Sequence, residues 1–384
     1  MPVSVTYSGG PIFDGYRLHS DHAARWIDGL FSGLVPESDL PPTEDRVELD
    51  GAILAPGYVD LQVNGGDGVM LNDAPSRVTL ERIAQAHRKM GALRILPTLI
   101  TDTPEVTTAT IESAIDAIEA GVRGIAGLHL EGPHLSVARK GAHDAALIRP
   151  MGADDLAELI EAKRHLPILK VTVAPESVST QQVTALTEAG IVVSLGHTDA
   201  SFDTCMDYAN AGARCATHLF NAMSPLGNRE PGLVGAALAN DAVSAGLIAD
   251  GIHVHPAAMQ TAWRAKTGEG RIYLVSDAMA VAGTDAEEFF LGGRKIIRRD
   301  GRLTLEDGTL AGADLDLTRA VQVLVSQVGV SLEEALAAAT STPAKVVGLP
   351  TGMTIGVTPL SDMICISPDL SGVTLLEESG ALTH

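Results

Sequence analysis

The chain has 384 residues, 45% of them hydrophobic, enough for a large core, yet only 3% are aromatic. A net charge of −21 argues against nucleic acid or an anionic membrane as partner, and the scarcity of aromatic rings leaves no base-stacking platform. Three cysteines at unrelated spacings, Cys205, Cys215 and Cys365, make neither a disulfide framework nor a zinc-finger pattern, which suits a reducing compartment.

Residues 1–55 read as a short β module, in which "VSVTYSGGPIFDG" and "DRVELDGAILAP" alternate in polarity around a Pro-rich "LPPTED" linker. The opening "MPVSVTYSGG" lacks the charged and apolar regions of a signal peptide, and no apolar run is long enough to span a bilayer. A cytoplasmic protein is therefore expected. From residue 56 the rhythm changes to short apolar strands alternating with amphipathic stretches such as "EVTTATIESAIDAIEAG", the signature of βα units around a parallel sheet. Eight candidate strands follow in order: "YVDLQVN", "LRILPTLI", "IAGLHLE", "ILKVTVAPE", "IVVSLGH", "RCATHL", "GLIADGIHV" and "IYLVSDA". Eight such units in about 250 residues match a (β/α)₈ barrel. The expected organisation is an α/β barrel over 56–345, with 1–55 and 346–384 joining in a small β domain, because "TGMTIGVTPLSDMICISPDL" returns to short strands.

Catalytic groups of such barrels sit at the carboxyl ends of the strands. Here those ends carry Asn64, Thr98, Glu131, Glu176, His197, His218, His253 and Asp277. Glu131 in "GLHLEGPHL", taken alone, reads as an acid beside a turn, and its neighbour His129 as a satisfied core histidine. With His197 of "SLGHT" and His218 of "ATHLFNAM" it supplies the oxygen and nitrogen donors of a catalytic metal site. Asp277 in "LVSDAMAVAG" is placed to take a proton from water and return it to a leaving amine; an N-cap or a supporting acid is the plainer alternative. In "ADGIHVHP", His253 is placed to polarise a carbonyl, whereas His255 reads as solvent-facing. A lone loop arginine is usually solvated, but Arg229 follows "FNAM", where backbone N–H groups and a guanidinium would suit a phosphate. Arg139, Lys140 and His143 in "ARKGAHD" add positive charge to the rim.

Together "PGYVDLQVNGG", "PTLITD", "GLHLEGPHL", "KGAH", "GIVVSLGHTDA", "ATHLFNAMSPLGNREPGLVGAAL", "ADGIHVHP", "VSDAMAVAG" and "GTLAGADL" closely resemble the N-acetylglucosamine-6-phosphate deacetylase family of the amidohydrolase superfamily, over about 50–345. The resemblance implies a metal-dependent hydrolase barrel with a small β-sandwich. It implies hydrolysis of the acetamide of N-acetyl-D-glucosamine 6-phosphate to D-glucosamine 6-phosphate and acetate. It assigns the metal to Glu131, His197 and His218, general acid–base catalysis to Asp277, and carbonyl polarisation to His253. The substrate would meet Ala142 and His143 on the sugar side, Asn221, Ala222 and Arg229 at the phosphate, and Leu310, Ala311 and Gly312 on a substrate-contacting loop. A homodimer is expected, the neighbouring subunit helping at the phosphate end.

Gln62, Asn64 and Asp60 share one face of the first strand. Many superfamily members place His-x-His where Gln62 and Asn64 stand, to ligate a second ion. Amides are poorer ligands than imidazoles, so one divalent ion per subunit is expected, with Gln62 and Asn64 at the vacant second position. Zinc is expected first; iron, manganese and cobalt use the same ligands. Asp314 and Asp316, after "TLAG", depart from the family pattern and are expected to add acid near the substrate loop. The rival readings are an amidohydrolase acting on another N-acyl sugar or a cyclic amide, and a non-catalytic barrel, which the presence of Glu131, His197, His218 and Asp277 disfavours.

Overall fold

A computed structural model describes residues 4–41, 46–349 and 353–376; of "LPPTED" only Leu40 and Pro41 fall within them. Eight parallel strands pair in chain order: Tyr58–Val63, Ala92–Ile100, Leu128–Glu131, Leu169–Val173, Val192–Leu195, Cys215–Ala216, Ser244–Leu247 and Ile272–Leu274. The first strand is buried at every position and the second nearly so, as expected of parallel strands covered on both faces. The barrel closes at its rim rather than along a full ladder. Val63 bridges Ala278, Asp277 N–H donates to the Gln62 carbonyl at 3.1 Å, and Asn64 N–H donates to the Ala278 carbonyl at 2.9 Å.

The surrounding helices begin where capping residues allow. Ser76, Thr103 and Ser201 each accept a backbone N–H from three residues on, and Ser179 with Gln182 forms a capping box. Inward faces such as Leu80, Ile83 and Ala84 of the helix Arg77–Lys89 join the aliphatic core.

The terminal segments build two further sheets. One orders Leu30–Pro36, His22–Ile27, Ser4–Ser8 and Val47–Glu48; the other orders Val373–Leu375, Met363–Ile366, Ile53–Pro56, Ile12–Phe13 and Leu18–His19. Met363–Ile366 pairs antiparallel with Ile53–Pro56, so strands from both ends of the chain share one sheet. Tyr7, Trp26, Ile12, Leu54 and Met363 fill a common core between them.

Two expectations need correction. The stretch 56–345, read as eight βα units, also contains a four-stranded antiparallel sheet, Glu288–Leu291, Arg294–Arg299, Arg302–Thr304 and Leu310–Ala313, inserted after the eighth barrel strand. Its inner face packs Phe289, Leu291, Ile296 and Leu303 against Met70, Ile100 and Met279 of the rim. In addition, His253 does not end the seventh strand, which stops at Leu247; it lies on the loop beyond.

Candidate active site

Three donors converge where the third, fifth and sixth strands end. Glu131 is the last residue of its strand, and His197 and His218 follow theirs at φ of 47° and 30°. Ala222 and Asp277 also take positive φ, at 46° and 51°. Such backbone costs about 1–3 kcal/mol per residue and persists where surrounding contacts over-determine it. Here it turns the chain out of the strand while leaving each side chain over the barrel mouth.

His197 Nε2 and His218 Nε2 are 3.0 Å apart, and Glu131 Oε1 lies 3.2 Å from the first and 3.0 Å from the second. His197 Nδ1–H donates to the Arg139 carbonyl at 2.9 Å, leaving the lone pair on Nε2. Burial alone would raise the Glu131 pKa, but its contacts with His197 and His218 hold it well below the usual carboxylate range. Bonds of about 2.0–2.1 Å to one ion space its ligands about 2.9–3.4 Å apart. The two imidazole nitrogens and the carboxylate oxygen therefore fit a divalent cation.

His143 is also close, with Nε2 4.0 Å from Glu131 Oε2, and Glu131, His143 and His197 form a second group near enough for an ion. Its hydrogen bonds argue otherwise. Nδ1 accepts the Thr101 N–H at 3.3 Å and lies 2.7 Å from Thr101 Oγ1, which leaves the proton on Nε2, facing the cavity. Burial and His197 push the His143 pKa down to about 3, so its ring is a neutral donor.

Asp277 stands beside this triad, clamped by backbone on both sides: its N–H bonds Gln62, and its carbonyl accepts Ala313 N–H at 2.9 Å from the inserted sheet. Gln62 Nε2 donates to Asp277 Oδ1 at 3.0 Å and to both oxygens of Glu131 at 3.2 Å, while Asn64 Nδ2 donates to Asp277 Oδ1 at 2.8 Å. The amides are thus hydrogen-bond donors spanning two carboxylates. Reversing either would set oxygen against oxygen, so the network fixes their orientation. Their own oxygens, Gln62 Oε1 and Asn64 Oδ1, are buried without partners among the described residues. Both donations fall on Oδ1, leaving Asp277 Oδ2 as the open proton acceptor. Burial, then repulsion from Glu131, raises the Asp277 pKa.

His253 Nδ1 meets Asp250 Oδ2 at 2.6 Å, and Asp250 Oδ1 accepts the N–H groups of Ile252 and His253 at 2.8 Å. Burial favours the neutral acid at Asp250, but the His253 ring and the Ile252 and His253 N–H groups together outweigh it and lower the pKa. His255 is exposed, as expected, and its ring accepts Ala257 N–H to cap the helix Pro256–Ala265.

A cavity of about 430 Å³ opens over these groups. Asn64, Glu131, Ala142, His143, His197, His218, Asn221, Ala222, His253, Asp277, Leu310 and Gly312 all line it. Gly312 has φ of 68°, and a Cβ there would collide with Met279. Ala311 turns away into the core of the inserted sheet, and Arg229 lies on an exposed loop outside the lining of its own chain. Asp314 pairs with Arg298 at 2.8 Å and Asp316 caps the helix Leu317–Val323, so neither adds acid to the substrate side as expected. Arg139 is likewise committed, to Asp199 at 2.7 Å.

Sequence reasoning missed the apolar wall of Ile100, Ile248, Met279 and Leu291, the support from Asp250, and Arg294, whose guanidinium holds the Ala142 carbonyl at 2.6 Å. Only Asp250 carried a local signal, its three-residue spacing from His253.

The Amidohydrolase family model matches residues 53–365. An N-acetylgalactosamine-6-phosphate deacetylase of Shewanella sp. (strain ANA-3) is 40% identical over 334 residues, 86% of this chain and 84% of that protein. An N-acetylglucosamine-6-phosphate deacetylase of Haemophilus influenzae is 33% identical, over 88% of each chain. The crystal structure of the N-acetylglucosamine-6-phosphate deacetylase from Pasteurella multocida superimposes with a TM-score of 0.89 at 32% identity, over 97% of both chains. With its strand-end donors, its closed parallel sheet and these likenesses, the chain belongs to the amidohydrolase family.

Proposed function

We propose that this protein hydrolyses the acetamide of N-acetyl-D-glucosamine 6-phosphate, releasing acetate and D-glucosamine 6-phosphate. The observation that carries the reading is the convergence of Glu131, His197 and His218 beside an acid whose free oxygen faces the same cavity. At about 430 Å³ the cavity suits a single phosphorylated sugar. Relatives and a structural neighbour named as deacetylases of N-acetylhexosamine 6-phosphates support the substrate class.

Glu131, His197 and His218 would hold one divalent ion, zinc first. When bound, that ion supplies the positive charge that acidifies a water and polarises an acyl oxygen. Asp277 Oδ2 takes the proton of the attacking water and returns it to the departing amine. His253, its Nδ1–H turned to Asp250, presents Nε2–H to the oxygen on which negative charge develops, when both ring nitrogens are protonated. His143 Nε2–H orients the sugar, and the turn at Asn221 and Ala222 receives the phosphate. Gln62 and Asn64, donating to both carboxylates, occupy the room of a second ion and favour a single-metal site.

We further read the protein as a cytoplasmic homodimer. Arg229 does not line the catalytic cavity of its own chain, and its exposed loop also carries the exposed Leu226, as suits a segment reaching a neighbour's phosphate end. No helix among the described residues is long and apolar enough to cross a membrane.

The relative at 40% identity favours a second substrate, the 4-epimer N-acetylgalactosamine 6-phosphate. Acetate release should be measured from both phosphorylated epimers and from unphosphorylated N-acetylglucosamine, on protein with its metal content determined. Release from a phosphorylated sugar alone, at one metal per subunit, supports the reading, and the faster epimer names the substrate. No release from any of the three, with metal bound, would redirect the search to other N-acyl compounds.

A further inference from the structure

One tier beneath the donors, the barrel interior holds a buried row of polar side chains that the catalytic steps do not use. Ser194 Oγ lies 2.7 Å from Thr217 Oγ1, which lies 2.8 Å from Thr172 Oγ1. Thr172 Oγ1 is 2.8 Å from His129 Nε2, and His129 Nδ1 is 3.2 Å from Thr98 Oγ1. All five residues are buried.

The direction of every bond can be assigned. Thr98 donates its proton to the Leu96 carbonyl at 3.0 Å and accepts the Val63 N–H at 3.0 Å, so it must also accept from His129 Nδ1–H. His129 Nε2 is then the acceptor, for the Thr172 hydroxyl and for Lys170 Nζ at 3.3 Å. Thr172 in turn accepts from Thr217, and Thr217 from Ser194. Each hydroxyl donates once, and the closer Thr172 hydroxyl takes most of the single Nε2 lone pair that Lys170 Nζ shares from 3.3 Å. The row ties the first six strands together just below the rim. Val63 follows Gln62, His129 precedes Glu131 by two residues on the same face, and Thr217 immediately precedes His218.

We propose that His129 is a positioning residue, the hub of this row, which holds the third strand in register with its neighbours so that Glu131 Oε1 meets the Nε2 atoms of His197 and His218. The proposal rests on the reading of those three residues as metal ligands. A ligand set tolerates displacements of only about 0.5 Å, and removing a partner that orients ligands costs about 10–100-fold in metal affinity.

The test is zinc affinity, measured by competition with a chromophoric chelator on metal-stripped protein. His129→Leu breaks the row on both sides and is expected to bind zinc about 10–100-fold more weakly. His129→Gln, which can still donate at one end and accept at the other, should recover part of the loss. Thr172→Val should shift affinity in the same direction by less. Thr340→Val, which removes a buried hydroxyl bonded to the Leu336 carbonyl outside the row, should leave affinity unchanged. Wild-type affinity in His129→Leu and Thr172→Val overturns the proposal, even where His129→Leu melts earlier. If circular dichroism shows His129→Leu unfolded, Thr172→Val decides. Should the unaltered protein bind no zinc, the metal reading fails and this proposal with it; equal binding by every variant removes the positioning role alone.

Discussion

The barrel uses buried acids differently at its two ends. At the base, Asp362 faces three arginines: Arg94, Arg123 at 3.2 Å and Arg88 at 3.6 Å. It sits where the strand Met363–Ile366 pairs with Ile53–Pro56, the point at which the sandwich meets the barrel. At the rim, Glu131 and Asp277 face imidazoles and amides instead, with His197, His218 and Asp277 on backbone held at positive φ. Guanidinium groups keep their protons, so Asp362 is a fixed joint. Imidazole lone pairs and neutral amides leave the rim acids free to exchange a cation or a proton.

The sharpest way to break this contrast is to remove the exchangeable proton. Asp277→Asn should lower kcat about 100–10,000-fold while the protein still binds one zinc ion; residual activity near wild type would leave Asp277 a supporting role only. At the base, Asp362→Ala removes a buried carboxylate shared by the half-buried Arg88 and Arg94 and the exposed Arg123, and should cost about 1.5–3 kcal/mol by denaturant unfolding, with kcat per folded molecule retained. A loss under about 1 kcal/mol would show that those cations find water, and that the base is not the fixed joint described here.

Two smaller effects sharpen the comparison. Asp250→Asn removes the carboxylate that accepts the His253 Nδ1–H and orients its ring, and kcat should fall about tenfold with KM nearly unchanged. That is less than the about 10²–10³ of a lost oxyanion donor, and a rise in KM alone would place the pair in substrate binding. Asp60 accepts the Ser276 N–H at 3.2 Å under Asp277, and burial pushes its pKa from 3.8 up to about 7. A raised pKa means that the folded state binds the proton more tightly. Its stabilising contribution is complete below pH 3.8 and is lost as pH rises through about 7. The Tm of the wild type relative to Asp60→Asn should therefore decline between about pH 4 and pH 7, by about 2 °C per kcal/mol lost. A constant difference would show that Asp60 keeps its charge on folding.

Much of the architecture was legible from residue order. Each barrel strand is a short apolar run, and the residue that ends such a run is directed by the fold to the catalytic face. Glu131, His197, His218 and Asp277 could be named for that reason, and the structure brings them together. The inserted sheet carried only a partial signal. Its strands, as in "RKIIRRDGRLTL", are charged and short, and the two-residue turn Asp300-Gly301 marks a hairpin without saying where that hairpin packs.

Local pattern specified which residues could meet at the rim, because strand period and strand ends are properties of neighbouring residues. It was silent on how they meet. Whether Gln62 and Asn64 turn nitrogen or oxygen inward, whether Asp314 faces substrate or Arg298, and which proton His129 carries all depend on groups tens to hundreds of residues away. Hydrogen-bond direction and ion pairing are settled by partners on other strands, and closing the barrel and folding its inserted sheet are what supply those partners.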